Sequence, residues 1–462
     1  MQRSLCFWTA LAIATSFLAV TKAQTDLTLV ERANGIDVTT ATIQKISRSQ
    51  IFPDDYNFLE RIAYIESEFG QAQRTPNDGG IWQVNNAFFT QSKIKRLQSL
   101  HDQINSTFGI NWPAVTYRDL LKPLYSGLAA SIYLTSLPEQ IPQQVADQAS
   151  FWLEYYNQRD YTEQIFLVKI KEMEEQKPNC TGKLDVGLVL DGSGSVGSGN
   201  FNTARNFVIS LINTFSLNTT RVGFIIYSSA VTKIFPLENS LTQAQMTSAI
   251  KAFRYEGGGT NTNEAIRQAV LDMQAASARP GIPRALIVLT DGQSGSGVGN
   301  IELARQAGIS TFGVGIGSGI NEGELLLIGL NDPGHVFALT DFDALAEFFK
   351  RLNAETCALP QKPAFNSTTA DEVEGRERRY YEYPLGSQGV TVQLGALLGQ
   401  VDGYYSYTIE NPSSAVNDGV LRASTQISNN NGASKVYLAV EGVQPNNLYT
   451  ITVYEGKVGL EL

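Results

Sequence analysis

Apolar residues in the middle of the chain come in short runs, and each run stops at a polar cluster. Val186–Leu190 ends at Asp191, and RVGFIIYSS (221–229), RALIVLTDG (284–292), STFGVGIG (310–317) and HVFALTD (335–341) repeat the pattern. Runs this short predict buried strands. Between them AQMTSAIKAF, NEAIRQAVLDM, IELARQAG and FDALAEFFKRL read as amphipathic helices. The alternation predicts a doubly wound α/β fold, a mostly parallel sheet with helices on both faces. Ligands on such sheets bind beyond the carboxyl ends of the strands.

The pattern differs on either side. In PDDYNFLERIAYIESEFG the proline and two aspartates at 53–55 offer a helix start, and Leu59, Ile62, Ala63 and Glu66 then fall on one helical face. From 380 to 460 the period becomes two, in VTVQLGALL, YYSYTIEN, KVYLAVEG and LYTITVYEG. This predicts a small antiparallel β-sandwich. Tyr404, Tyr405 and Tyr407 offer a candidate binding face there, although the alternation sends half of such positions inward. The stretches EMEEQKPNC (172–180) and ALPQKPAFN (358–366) read as joints. The chain therefore divides into a helical domain (24–176), an α/β domain (180–357) and an all-β sandwich (364–462), as its length of 462 residues allows.

Composition sets the compartment. The first 23 residues have a basic start, an apolar run and a small residue before Gln24, which predicts a cleaved secretory signal. No later stretch reaches the roughly 18 apolar residues of a membrane span, so the mature chain is expected to be soluble and extracellular. Losing Arg3 and Lys22 takes the net charge from −10 to about −12, a balance that argues against nucleic acid and anionic membranes. Cys6 leaves with the signal, and Cys180 and Cys357 remain as an expected disulfide in an oxidising compartment. Asn105, Asn179, Asn218 and Asn366 carry the N-x-[ST] glycosylation pattern. With only His101 and His335, a Ser-His-Asp triad or a His-rich zinc site has little support.

Three oxygen-rich clusters fall at the predicted strand ends: Asp191, Ser193 and Ser195, then Thr260 in EGGGTNT, then Asp291. Small hydroxyls and carboxylates without His or Cys suit a hard divalent cation such as Mg²⁺. With these residues, 183–354 resembles a von Willebrand factor A (VWA) domain, whose metal-ion-dependent adhesion motif begins DGSGS. The resemblance implies that the serines and Thr260 face the metal. Asp191 and Asp291 act directly or through water, and a carboxylate from an extracellular protein ligand completes the shell. VFALTDFDALAEFFKRL resembles the A domains of matrix proteins, while GSGINEGELLLIGLND has no obvious added helix of the collagen-binding integrin kind. A Cys180–Cys357 bridge would join the domain's ends and contribute roughly 4–5 kcal/mol in the chain-entropy view.

Residues 50–160 resemble the lysozyme-like superfamily, notably soluble lytic transglycosylases. IAYIESEFG is similar to the helix carrying the catalytic glutamate, GGIWQVN to a substrate loop, PLYSGLAASIYLTSL to the following buried helix and FWLEYYNQ to a Tyr-Asn segment. The resemblance makes Glu66 the general acid, Asp78 the nucleophile or oxocarbenium stabiliser, and Gln83, Tyr156 and Asn157 substrate contacts. The ligand would be a β-1,4-linked N-acetylated glycan, peptidoglycan or chitin. Binding without turnover and a purely structural domain stay open, because Glu66 also fits a helix-flank glutamate paired with a basic side chain. VQPNNLYTITVYEG in the tail resembles a late strand of fibronectin type III domains. Two functions follow. One is a secreted adhesion glycoprotein using a Mg²⁺-dependent VWA site. The other is a secreted glycan-cleaving enzyme, for defence or digestion, anchored by that domain.

Overall fold

The computed structural model describes residues 24–457 apart from 73–78, 158–160, 177–181, 238–239, 276–278, 280, 296, 318, 340–351, 353, 355 and 430. The expected signal segment, Asp78, Asn179, Cys180 and most of FDALAEFFKRL lie outside the described residues.

After a two-residue strand β1 (Thr25–Asp26) come α1 (Ile36–Arg48), α2 (Phe58–Ser67), α3 (Asn86–Gln91), α4 (Gln98–Phe108), α5 (Pro123–Thr135), α6 (Val145–Tyr155) and α7 (Glu163–Glu175). PLYSGLAASIYLT is apolar on nearly all sides, and α5 is accordingly the buried central helix. Pro123 opens it, where a missing N–H costs nothing. A Cβ at Gly127 would stand 2.8 Å from the Ile46 side chain, so glycine lets α1 lie close against α5. The Trp82 indole donates to the Leu59 carbonyl at 2.8 Å, tying the 79–85 loop to α2.

The middle of the chain forms β2 (Leu184–Asp191), α8 (Gly197–Thr214), β3 (Thr220–Tyr227), β4 (Val231–Phe235), α9 (Gln243–Ala252), α10 (Thr262–Ala275), β5 (Arg284–Thr290), α11 (Ile301–Gln306), β6 (Ser310–Ile316), α12 (Glu322–Ile328) and β7 (Val336–Leu339). The six-stranded sheet has the order β4-β3-β2-β5-β6-β7. It is parallel except for the edge strand β4, which the apolar pattern did not mark because VTKIF is polar on one side. Separate apolar cores cover the two faces, one built on Leu188, Phe201 and Phe224, the other on Val189, Ile266 and Leu286.

The tail forms β8 (Thr368–Glu374), β9 (Arg378–Pro384), β10 (Val390–Leu398), β11 (Val401–Ser406), β12 (Val416–Asn417), β13 (Gly419–Leu421), β14 (Ser424–Ile427), β15 (Lys435–Gly442) and β16 (Asn446–Glu455). Two antiparallel sheets, β14-β10-β16-β8 and β13-β11-β15-β9, make the sandwich. The candidate tyrosine face is corrected by the structure. Tyr404 is buried, and Tyr405 and Tyr407 are half-buried with ring centres 5.8 Å apart. Tyr407 also donates to the Ser428 carbonyl.

One feature was not foreseen. The first and last parts of the chain share a core, although the α/β segment separates them in sequence. Strand β1 pairs with β12, Thr25 opposite Asn417, and Leu27 N–H donates to the Ala415 carbonyl at 2.9 Å. Ala415 and Val416 belong to the apolar core of the helical part. The Arg378 guanidinium reaches Asp37 on α1 at 2.7 Å and Glu441 on β15 at 2.9 Å. The α/β part meets the sandwich through Lys362 N–H, which donates to the Gly281 carbonyl at 2.7 Å.

Candidate metal centre

Strand β2 delivers Asp191, fully buried, to the carboxyl edge of the sheet. Its Oδ1 accepts from Ser193 N–H at 2.8 Å, and its Oδ2 accepts from the Thr290 hydroxyl at 2.7 Å, across to the end of β5. Beyond it the Ser193 and Ser195 hydroxyls lie 3.1 Å apart. Burial raises the Asp191 pKa, hydrogen bonds from Thr290 and Ser193 pull it down, and the Asp291 charge adds to the rise. A buried carboxylate beside another carboxylate is poorly satisfied without a compensating cation.

Backbone contacts bring the Thr260 loop to the same place. Gly194 N–H donates to the Gly258 carbonyl at 2.9 Å, and Asn261 N–H donates to the Ser228 carbonyl at 2.9 Å. The Tyr255 hydroxyl donates to the Ser193 carbonyl at 2.9 Å, and its ring packs 5.3 Å from Phe201. Gly258 has a φ of +104°, and a Cβ there would stand 2.9 Å from the Ser229 hydroxyl, so only glycine takes this path comfortably.

Asp291 follows β5 and is 3% exposed. Its Oδ1 accepts from Gln293 N–H at 3.1 Å, while Oδ2 is buried with no hydrogen-bond partner. An orphaned carboxylate oxygen of this kind is costly unless a cation takes it. Among the described residues no three His, Cys, Asp or Glu side chains gather as a metal cluster. A cation here would therefore draw on hydroxyls as well as Asp191 and Asp291, the all-oxygen set that suits Mg²⁺ and similar ions.

Three members of this neighbourhood escaped the sequence reading. Thr290 holds Asp191. Tyr227 is fully buried, its hydroxyl 3.0 Å from that of Thr262, and burial with the Asp191 charge lifts its pKa well above the ordinary value. Glu324 on α12 reaches back to Ser294, accepting from its hydroxyl at 2.8 Å and its N–H at 3.3 Å. No spacing rule links these positions, which come from the ends of β3 and β5 and from α12.

In the helical part, Glu66 is 4% exposed and its Oε1 accepts from the Trp152 indole at 2.9 Å. Tyr156 is fully buried and donates to the Trp82 carbonyl at 2.7 Å, so it secures the 79–85 loop from inside. Gln83 is half-buried at a φ of +48° and donates to the Gly80 carbonyl at 2.7 Å. The Asn157 amide donates to the Tyr161 carbonyl at 3.2 Å. Glu66 and Tyr156 are thus drawn together around Trp82 and Trp152, with Asp78 outside the described residues. Cys357 is disulfide-bonded, and its expected partner Cys180 is likewise outside them. Asn105, Asn218 and Asn366 are exposed, as glycan acceptors must be. His101 is buried against the Ser92 carbonyl, and His335 packs on the Phe312 ring.

Comparison with known proteins bears on the middle segment. Residues 185–351 match the family model of the von Willebrand factor type A domain. Human von Willebrand factor A domain-containing protein 2 is 36% identical over 195 residues, 40% of this chain and 26% of that protein. Mouse matrilin-4 is 34% identical over 197 residues, 40% of this chain and 31% of its own length. The collagen alpha-1(XXI) chain of Xenopus laevis is 32% identical over 221 residues, 46% of this chain and 22% of that chain. This chain thus spans less than a third of each of these relatives. Among solved structures, proximal thread matrix protein 1 from the mussel byssus, with a zinc-occupied MIDAS motif, aligns at 20% identity. Its TM-score is 0.34, with 42% of this chain and 52% of that one covered. The six-stranded α/β segment of this chain is a von Willebrand factor type A domain.

Proposed function

We propose that this is a secreted adhesion protein of the extracellular matrix. Its A domain binds a divalent cation, Mg²⁺ by chemistry, through Asp191, Ser193, Ser195, Thr260 and Asp291. The bound ion supplies a Lewis-acidic position for a carboxylate of an extracellular protein partner. The observation that carries the reading is the buried, unpartnered Asp291 Oδ2 beside the buried Asp191, in a donor set made only of oxygen. The matched relatives, a matrilin and a collagen chain among them, point to the same extracellular setting. Among the described residues no helix is long and apolar enough to cross a membrane.

The chain's own residues do the positioning. Thr290 and Ser193 fix both oxygens of Asp191, Tyr255 fixes the Ser193 carbonyl, and the Gly194–Gly258 contact holds the Thr260 loop in place. A Cys180–Cys357 bridge and glycans at Asn105, Asn179, Asn218 and Asn366 belong to this reading. The test is adhesion of the purified protein to decellularised tissue matrix. Binding in Mg²⁺ that is lost in EDTA and in Asp191→Ala supports it, and binding indifferent to both removes it.

A second reading concerns the helical part, where Glu66 is a buried carboxylate beside Trp152 and Tyr156. It gives that part a β-1,4-linked N-acetylated polymer, peptidoglycan or chitin, to bind or cleave, with Glu66 as proton donor. Asp78, Gln83, Tyr156 and Asn157 would serve the same substrate. Turbidity loss of a bacterial wall suspension, or fragment release from chitin, must then fall in Glu66→Gln.

A further inference from the structure

Glu324 stands apart from Asp191, Ser193, Ser195, Thr260 and Asp291, yet it has no structural task that uses both of its oxygens. It is 9% exposed. Oε2 takes both hydrogen bonds from Ser294, three residues after Asp291 in the loop that leaves β5. Oε1 is buried with no hydrogen-bond partner. Among the described residues no lysine, arginine or histidine pairs with this carboxylate. Burial raises its pKa first, Ser294 lowers it, and the charges of Asp291 and Asp191 raise it again. A second buried carboxylate oxygen is thus orphaned within electrostatic reach of the pair that faces the candidate cation.

A surface glutamate would relieve this by turning to water. Here the Ser294 hydrogen bonds and the placement of α12 hold it inward. Asn321 reinforces that placement, since its N–H donates to the Asp291 carbonyl at 3.0 Å and its side chain caps the helix. Three carboxylates without a cation repel one another in a medium that screens weakly. With a divalent ion present, the same negative charge becomes attraction. Among the described residues no three carboxylates gather closely enough to ligate an ion together, so Glu324 acts from behind the ligands.

We propose that Glu324 is a positioning residue of the cation site, a third buried negative charge that raises divalent-cation affinity while holding the Asp291 loop through Ser294. This rests on the cation reading above. Two consequences have opposite sign: metal binding gains from Glu324, whereas the metal-free fold is burdened by it. A glutamate kept only for structure would give the reverse of the second.

The test uses the chain from residue 24 onward and titrates Mg²⁺ and Mn²⁺ calorimetrically into wild type, Asp191→Ala, Glu324→Gln and Glu324→Asp. Thermal unfolding in EDTA is measured beside it. Glutamine keeps an acceptor for Ser294 and removes only the charge. The expected result is affinity at least tenfold weaker in Glu324→Gln, recovered in part by Glu324→Asp, with Glu324→Gln melting in EDTA at or above the wild-type temperature. Wild-type affinity in Glu324→Gln overturns the assignment and leaves the five-residue site standing. Melting below wild type in EDTA also overturns it, because the charge would then be serving the fold. A wild type that binds neither ion overturns the site itself, and this role with it.

Discussion

Gly194 N–H donates to the carbonyl of Gly258 at 2.9 Å, and this one contact joins two loops that lie more than sixty residues apart in sequence. Alanine at position 258 would occupy a φ of +104° and press its Cβ to 2.9 Å from the Ser229 hydroxyl. Gly258→Ala is expected to cost about 1–3 kcal/mol of stability. It should also weaken Mg²⁺ binding by displacing Thr260. Urea unfolding and calorimetry on the same sample separate the two effects.

Asp291 leaves one buried oxygen without a hydrogen bond. Asp291→Asn is expected to abolish saturable Mg²⁺ binding while leaving the metal-free fold at least as stable, since it removes an uncompensated buried charge. Mg²⁺ should raise the melting temperature of wild type and leave that of the variant unmoved. A shift of equal size in both proteins would place the ion elsewhere.

The Asp37–Arg378 pair predicts how acid acts on the junction between α1 and the sandwich. Burial raises the Asp37 pKa, but Arg378 and Ser414 outweigh it and hold the group below its usual value. A carboxyl with a lowered folded-state pKa stabilises above its unfolded value, near 3.9. That contribution is lost as pH falls through the folded value. Wild type should therefore lose stability on acidification below about pH 4 more steeply than Asp37→Asn. The variant itself should cost about 1–3 kcal/mol at neutral pH by leaving part of the Arg378 fork unmatched. Parallel slopes for both proteins would contradict this.

In the helical part, Trp152 donates its indole N–H to Glu66. Glu66→Ala strands that buried donor and should cost about 1–3 kcal/mol, whereas Glu66→Gln keeps an acceptor and stays close to wild type. Chemical denaturation of the two variants decides the structural share of this glutamate before any glycan assay is interpreted.

Much of the α/β segment could be read from the chain because its strands are short apolar runs, each closed by a polar cluster. Asp191 and Asp291 sit where those runs end, and the parallel pairing of β2 with β5 puts both at one edge of the sheet; Thr260, expected at a strand end, lies instead in the loop between α9 and α10. Thr290, Tyr227 and Glu324 could not be found that way. They face the site through hydrogen bonds and charge effects between residues as much as 133 positions apart, from Asp191 to Glu324, and nothing periodic marks them. The shared core of the helical part and the sandwich was hidden for a similar reason. Ala415 and Val416 look like ordinary loop and strand residues until β1 pairs beside them. Division into three successive domains treats neighbours in sequence as neighbours in space, and here the first and third parts meet.

That meeting has a mechanical consequence. Tension pulling residue 24 away from residue 457 would bear on the contacts where β1 lies along β12 and where Arg378 grips Asp37. The sheet from Leu184 to Leu339 hangs outside that route as a side branch. On the cation reading proposed above, traction at Asp191 would pass down β2, and the Lys362–Gly281 hydrogen bond is one tie from this segment to the chain beyond it. The first and last parts of the described chain are thus tied to each other through the β1–β12 pair, the Asp37–Arg378 ion pair and a shared core, so the α/β sheet is carried as an insertion between two parts already fastened together.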